Sequence, residues 1–126
     1  MKLYGFSRSS AAFRVRIALN LKGIAWEHVN ISLPDGDQFD DGYRKLNPQG
    51  RVPTLIDGDK ILYQSMAILE YLEETQPKPA FLPSDPLGRA RVRGLADIIA
   101  CDIHPLNNLA ILKFLGGEMG VDKDAV

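Results

Sequence analysis

Gln64-Ser65, in the stretch YQSMAILEYLEE (63–74), stands at the head of an apolar helical pattern. Serine is a favoured helix cap, so the pair alone is ordinary. The unusual feature is a first turn without an acid. A helix N-terminus carries about half a positive charge, and Asp or Glu there is stabilising. Ser9-Ser10 repeats the arrangement at the start of another helical pattern. Residues 1–26 contain no Asp or Glu, yet they hold Lys2, Arg8, Arg14, Arg16 and Lys22. Two uncompensated helix starts offer free N–H groups to an anion such as a carboxylate. Arg8 directly precedes the serine pair, and its planar fork suits the carboxylate of an anionic co-substrate. Val52-Pro53 adds a different chemistry. Proline at a strand start removes one ladder donor, and an unpaired Val52 backbone could pair with an extended peptide. Together these residues describe a seat for a small acidic peptide, with one backbone clamp and one carboxylate anchor.

The elements that must hold them are legible in the patterning. KLYGF (2–6) reads as a first strand. Ser9 and Ser10 open a helix through about Lys22, in which Phe13, Ile17 and Leu21 recur at the spacing of a buried stripe. Lys22 suits its negative end and Gly23 its stop. WEHVNI (26–31) reads as a second strand, followed by a polar loop and a short helix near 39–46. NPQGRVPTLIDGDKILY gives a Pro/Gly-rich loop and two strands joined at Asp57-Gly58, a hairpin signal. The next helix enters through Ser65, turns Ile68, Leu69 and Leu72 inward, and ends before Pro77. The order is β-α-β, a helical connection, a β-hairpin and a helix. The crossover makes the first two strands parallel and the hairpin makes the sheet mixed, an α/β domain. PKPAFLPSDP (77–86) is Pro-rich and reads as a linker. Pro86 then starts a helix after Asp85, with Leu95, Ile98, Ile99 and Cys101 toward a core and Pro105 breaking it near His104. Residues 87–126 read as the opening of a helical domain, and the chain as part of a longer protein.

Composition narrows the function further. Net charge is -1, with 15 basic and 16 acidic residues, which gives no support to nucleic-acid binding. No apolar run approaches the ~18 residues of a membrane span. Cys101 is the single cysteine, which excludes an internal disulfide and a CxxC pair and fits a reducing compartment. It reads as a small buried apolar residue. His28 and His104 have no metal-ligand spacing. His104, directly before Pro105, reads as a turn residue.

Four segments carry a family resemblance: RSSAAFRVRIALNLKG (8–23), NPQGRVPTL (47–55), YQSMAILEYLEE (63–74) and CDIHPLNNL (101–109). In order along the whole chain, they resemble the zeta class of glutathione transferases, which includes the maleylacetoacetate and maleylpyruvate isomerases. The resemblance implies a thioredoxin-like N-terminal domain over 1–80, a linker over 81–86, and the start of an all-helical C-terminal domain over 87–126. It implies a cytoplasmic homodimer of aromatic amino acid catabolism, with glutathione as cofactor and a small anionic maleyl substrate. By position, Gln64 and Ser65 would hold the γ-glutamyl carboxylate. Val52, before a proline that is cis in the family, would pair with the cysteinyl backbone, and Gln38 would sit near the glycyl end. His104 and Asn108 would add polar contacts, and Asp102 would reach the partner subunit's ligand. Ser9 and Ser10 would face the thiol, and Arg8 would bind the substrate carboxylate. The implied reaction is cis-trans isomerisation of a maleyl diketo acid by thiolate addition, bond rotation and elimination. Conjugation of glutathione to electrophiles, and a non-catalytic thioredoxin-like module, are the alternatives. Two positions depart from the family. Ala11 stands where a cysteine usually follows the serine pair, and NNLA places Ala110 where the family has an arginine.

Overall fold

The computed structural model describes residues 1–122. These fall into two compact units that divide after Phe81.

In the first unit the chain runs β1 (Lys2–Gly5), α1 (Ser10–Leu21), β2 (Glu27–Asn30), a 3-10 turn (Asp37–Phe39), α2 (Asp41–Leu46), β3 (Thr54–Asp57), β4 (Lys60–Tyr63) and α3 (Ser65–Thr75). The strands lie in the order β2-β1-β3-β4. β1 is parallel to β2 and antiparallel to β3, and β3 is antiparallel to β4. The parallel first pair and the antiparallel hairpin make the sheet mixed, as expected from the sequence.

Leu3 and Leu55 face each other across β1 and β3 and are fully buried with Val15, Ala18 and Leu19 of α1 and Ile68 and Leu72 of α3. The next pair, Tyr4 opposite Thr54, points to the other face because strand side chains alternate. There Tyr43 of α2 lies tilted against Tyr4, ring centroids 6.0 Å apart, and hydrogen-bonds to Thr54. One face of the sheet thus carries the apolar core and α1 with α3. The other carries α2 and a polar network.

Several expectations are corrected. Phe13, Ile17 and Leu21 are 54%, 43% and 62% exposed, so they are not the buried stripe. α1 instead turns Ala12, Val15, Ala18 and Leu19 to the core. Small and medium side chains let the helix lie close to the sheet, which leaves the bulkier series on the adjacent face. The hairpin loop is Gly58-Asp59, because Asp57 pairs with Lys60. Gly58 takes φ +61, a positive value that its position in a two-residue hairpin requires. The short helix near 39–46 is two pieces, the 3-10 turn and α2. Ser65 is the first helical residue of α3, and Gln64 is its cap.

α1 and α3 run side by side in the same direction. Arg14 reaches Ser65 near the N-terminus of α3, and Lys22 reaches Glu73 near its other end. The Lys22 ammonium lies 3.0 Å from Glu73 with its side chain fully buried. It also donates to the carbonyls of Gln76, at 2.6 Å, and Pro79, at 2.9 Å, and sits over the Phe81 ring.

The second unit holds α4 (Pro86–Asp97), a wide π-helical turn (Ile98–Ile103) and α5 (Leu109–Gly117). Asp85 caps α4 by accepting from the Gly88 N–H at 2.7 Å, as expected for Asp before Pro86. The helical path ends at His104, where Pro105 provides no N–H to continue it. Leu95, Ile98, Ile99 and Cys101 are exposed, contrary to the core role expected of them. α4 and α5 bury no residue. The expected helical domain of 87–126 extends past the described residues.

Candidate functional site

β1 ends, β3 begins and β4 ends at the same edge of the sheet. The register makes this concrete: Tyr4 lies opposite Thr54, and Thr54 lies opposite Tyr63. Val52, two residues before Thr54, is therefore brought beside Gln64-Ser65, which directly follow Tyr63. The loop after β1, with Arg8, Ser9 and Ser10, leaves the same edge.

Three of the longer helices have their free N–H groups served by a side chain: Ser9 caps α1, Asp85 caps α4 and Asn108 caps α5. α3 has no such bond, and no acid in its first turn. Its cap, Gln64, takes φ 71 and ψ 112 and is the one non-glycine residue at positive φ among those described. Such a conformation costs about 1–3 kcal/mol and persists only where the surroundings enforce it. The Gln64 side chain is held from outside, its Nε2 donating to Gln49 Oε1 at 2.9 Å. The half-turn this produces leaves the first N–H groups of α3 without a side-chain partner.

The segment that presents Val52 is fixed from the α2 face. Tyr43 donates to the Arg51 carbonyl at 2.6 Å and bonds to Thr54 Oγ1 at 2.8 Å. Asn47 Nδ2 donates to the same carbonyl at 2.8 Å and to Thr54 Oγ1 at 3.2 Å. Asn47 and Thr54 are almost wholly buried, and every polar atom of this cluster has a use. Burial raises the Tyr43 phenol above its ordinary pKa, against the lowering effect of its Thr54 and Asn47 bonds, so it remains a donor. The Val52–Pro53 peptide is cis. Val52 precedes the first residue of β3, and its backbone groups take no part in the turn, cap and loop bonds of the described residues.

Gln38 lies beside this loop. Gly50, at φ +59, passes so close that a Cβ there would stand 3.1 Å from the Gln38 carbonyl. Gln38 is 5% exposed, and its Oε1 is buried with no hydrogen-bond partner. A buried acceptor left in that state costs free energy until a donor reaches it.

At the head of α1, Ser9 Oγ accepts from the Ala12 N–H at 3.2 Å. Its own proton stays available for a further acceptor. Arg8, Ser9 and Ser10 line a surface hollow of about 340 Å³ with Ser7, Phe13 and Arg16. Arg16 is spent on structure, donating to the Ser7 carbonyl at 2.7 Å.

Of the expected site residues in the first unit, the loops at this edge gather Arg8, Ser9, Ser10, Val52, Gln64 and Ser65, and Gln38 adjoins through Gly50. Asp102, His104 and Asn108 belong to the second unit. Asp102 lies exposed on the wide turn, and His104 terminates it. Asn108 is occupied locally, accepting from the Ala110 N–H at 2.9 Å and donating to the Pro105 carbonyl at 2.7 Å. Sequence reasoning missed Arg14, Gln49, Tyr43, Asn47 and Thr54 as supports. Only the cluster of cations without acids in residues 1–26 pointed toward Arg14.

Residues 3–80 match the family model for the glutathione S-transferase N-terminal domain. The chain belongs to the glutathione S-transferase family. Its first unit is the thioredoxin-like domain of that family. Among curated relatives, maleylpyruvate isomerase of Ralstonia sp is 50% identical over 126 residues, all of this chain and 59% of the relative. The holo structure of a bacterial zeta-class maleylpyruvate isomerase superposes with TM-score 0.97 at 50% identity, over 99% of this chain and 59% of that one. A maleylacetoacetate isomerase from Methylobacterium extorquens AM1, solved with bound malonate and glutathione, gives TM-score 0.96 at 52% identity over 99% of this chain and 59% of that one. These likenesses meet the zeta-class resemblance of the four sequence segments. The chain spans about three fifths of the length of these relatives. Among the described residues no helix is long and apolar enough to cross a membrane, and no cluster of His, Cys, Asp and Glu could hold a metal ion.

Proposed function

We propose that the chain is the glutathione-binding part of a glutathione-dependent cis-trans isomerase of a maleyl diketo acid, maleylacetoacetate or maleylpyruvate. The observation that carries this reading is the bare N-terminus of α3, held open by the strained Gln64 beside Val52. The residues present suit the tripeptide. Ser65 and Gln64 would take the γ-glutamyl carboxylate, and Val52 would pair with the cysteinyl backbone. Gln38 Oε1, buried and without a donor, would accept one from the glycyl end. Asp102, His104 and Asn108 would contribute from the helical part, Asp102 toward the ligand of a partner subunit in a homodimer. The corresponding domains are 1–80 for glutathione binding, a linker over 81–86 and a helical domain beginning at 87. The setting is the cytoplasm, in aromatic amino acid catabolism.

Bound glutathione would supply a thiolate that adds to the cis double bond, allows rotation and leaves to give the trans product. The chain's part is to favour that anion. A free thiol titrates near ~8.5, and each unit of depression needs about 1.4 kcal/mol. The Ser9 proton, which its cap bond leaves available, would supply ~1–2 kcal/mol as a charge-assisted hydrogen bond. The positive end of α1 would add up to ~2 kcal/mol. Ser10 would face the same thiol, and exposed Arg8 would bind the substrate carboxylate.

The test follows maleylpyruvate by ultraviolet absorbance with the chain and substoichiometric glutathione. Many substrates converted per thiol are expected. Consumption of glutathione one for one would assign conjugation instead, and no conversion would leave a binding module.

A further inference from the structure

Among the described residues, Arg14 is the cation that hydrogen-bonds to the head of α3. Its Nη1 donates to Ser65 Oγ at 3.3 Å across 51 residues of sequence. Among the described residues no carboxylate pairs with it. Ser65 is 8% exposed and Arg14 itself is half-buried. Burial depresses the guanidinium pKa, and no neighbouring charge opposes that. The arrangement is unfavourable in itself, because a cation at a helix N-terminus is repelled by the macrodipole. It also fixes the chemistry of Ser65. A hydroxyl oxygen that accepts from a guanidinium presents its proton to whatever lies beyond. Neutral or cationic groups gain little from such a proton. An anion gains from the proton, from the helix end and from the guanidinium at once.

We propose that Arg14 is a positioning and specificity-determining residue, which locks the Ser65 hydroxyl as a donor and restricts the seat at the head of α3 to a carboxylate. The inference rests on the glutathione reading above and adds to it the residue that sets the charge requirement. It accounts for an otherwise costly placement: the ligand-free protein holds two positive features together, and the ligand's carboxylate neutralises both.

Calorimetric titration of the chain and of Arg14→Met and Arg14→Lys variants tests this with two probes. One is glutathione and the other is its analogue lacking the γ-glutamyl α-carboxylate, 4-aminobutyryl-cysteinyl-glycine. Arg14→Met should lose about 10- to 100-fold in affinity for glutathione and less than about 2-fold for the analogue. Arg14→Lys should recover part of the loss, and the affinity of the unaltered chain should weaken as salt rises. Urea unfolding without ligand should show Arg14→Met at an unchanged or higher midpoint, which a merely structural arginine would not give. Equal loss for both probes, or no loss for either, overturns the role of Arg14 while leaving the glutathione site in place. Failure of the unaltered chain to prefer glutathione over the analogue overturns the carboxylate seat itself.

Discussion

Arg14 and Lys22 sit eight residues apart and both extend from α1 to α3, yet they meet opposite conditions. Lys22 reaches the C-terminal end of α3. It finds the Glu73 carboxylate, the carbonyls of Gln76 and Pro79 and the face of Phe81. Carbonyls at a helix C-terminus favour a cation, so the charge is fully compensated and joins α1, α3 and the segment after α3. Arg14 reaches the N-terminal end and finds one hydroxyl. A charge drawn part-way out of water is costly unless it finds partners. Full compensation at one end marks structure, and incomplete compensation at the other marks a place for something that arrives from outside.

The largest effect should come from breaking the compensated end. Lys22→Met leaves Glu73 buried without its cation and should destabilise the chain by about 3–5 kcal/mol in urea unfolding. A loss under ~1 kcal/mol would mean that this end is no more structural than the other. Tyr43→Phe removes one donor from the Arg51 carbonyl and one partner from Thr54. It should cost about 1–2 kcal/mol and weaken glutathione binding through the Val52 loop. Unchanged affinity would separate that network from the site. Ser9→Ala should cost ~1 kcal/mol as a lost cap and raise the pKa of bound glutathione's thiol, read by ultraviolet thiolate absorbance. An unmoved titration would leave Ser9 a cap only. At the smallest end, Gln49→Ala touches an exposed pair and should change stability by within ~0.5 kcal/mol. A larger loss would show that Gln49 enforces the Gln64 conformation.

The sequence made the scaffold readable because its signals are local. The cap at Asp85, the stop at Gly23, the hairpin and the inward face of α3 follow from residues a few positions apart. The missing acids at two helix starts were readable too, and they are what the proposed site is built on. Burial was less so. Phe13, Ile17 and Leu21 have helical periodicity, but the alanines of α1 decide which face approaches the sheet. Leu95, Ile98 and Ile99 likewise show that an apolar stripe describes a capacity for burial, realised only where a partner surface exists. The supports of the site were unreadable for another reason. Arg14–Ser65 and Lys22–Glu73 each join residues 51 positions apart, and only the side-by-side placement of two helices equates them. The positive φ of Gln64 has no residue signal, since glutamine gives no hint of that conformation.

The most direct test of the central claim is to follow the backbone amide resonances of the chain by NMR as glutathione is added. The account predicts that the largest shifts fall at Val52, Gln64, Ser65 and Met66, saturating together. Shifts absent from the head of α3, or confined to other parts of the chain, would contradict it.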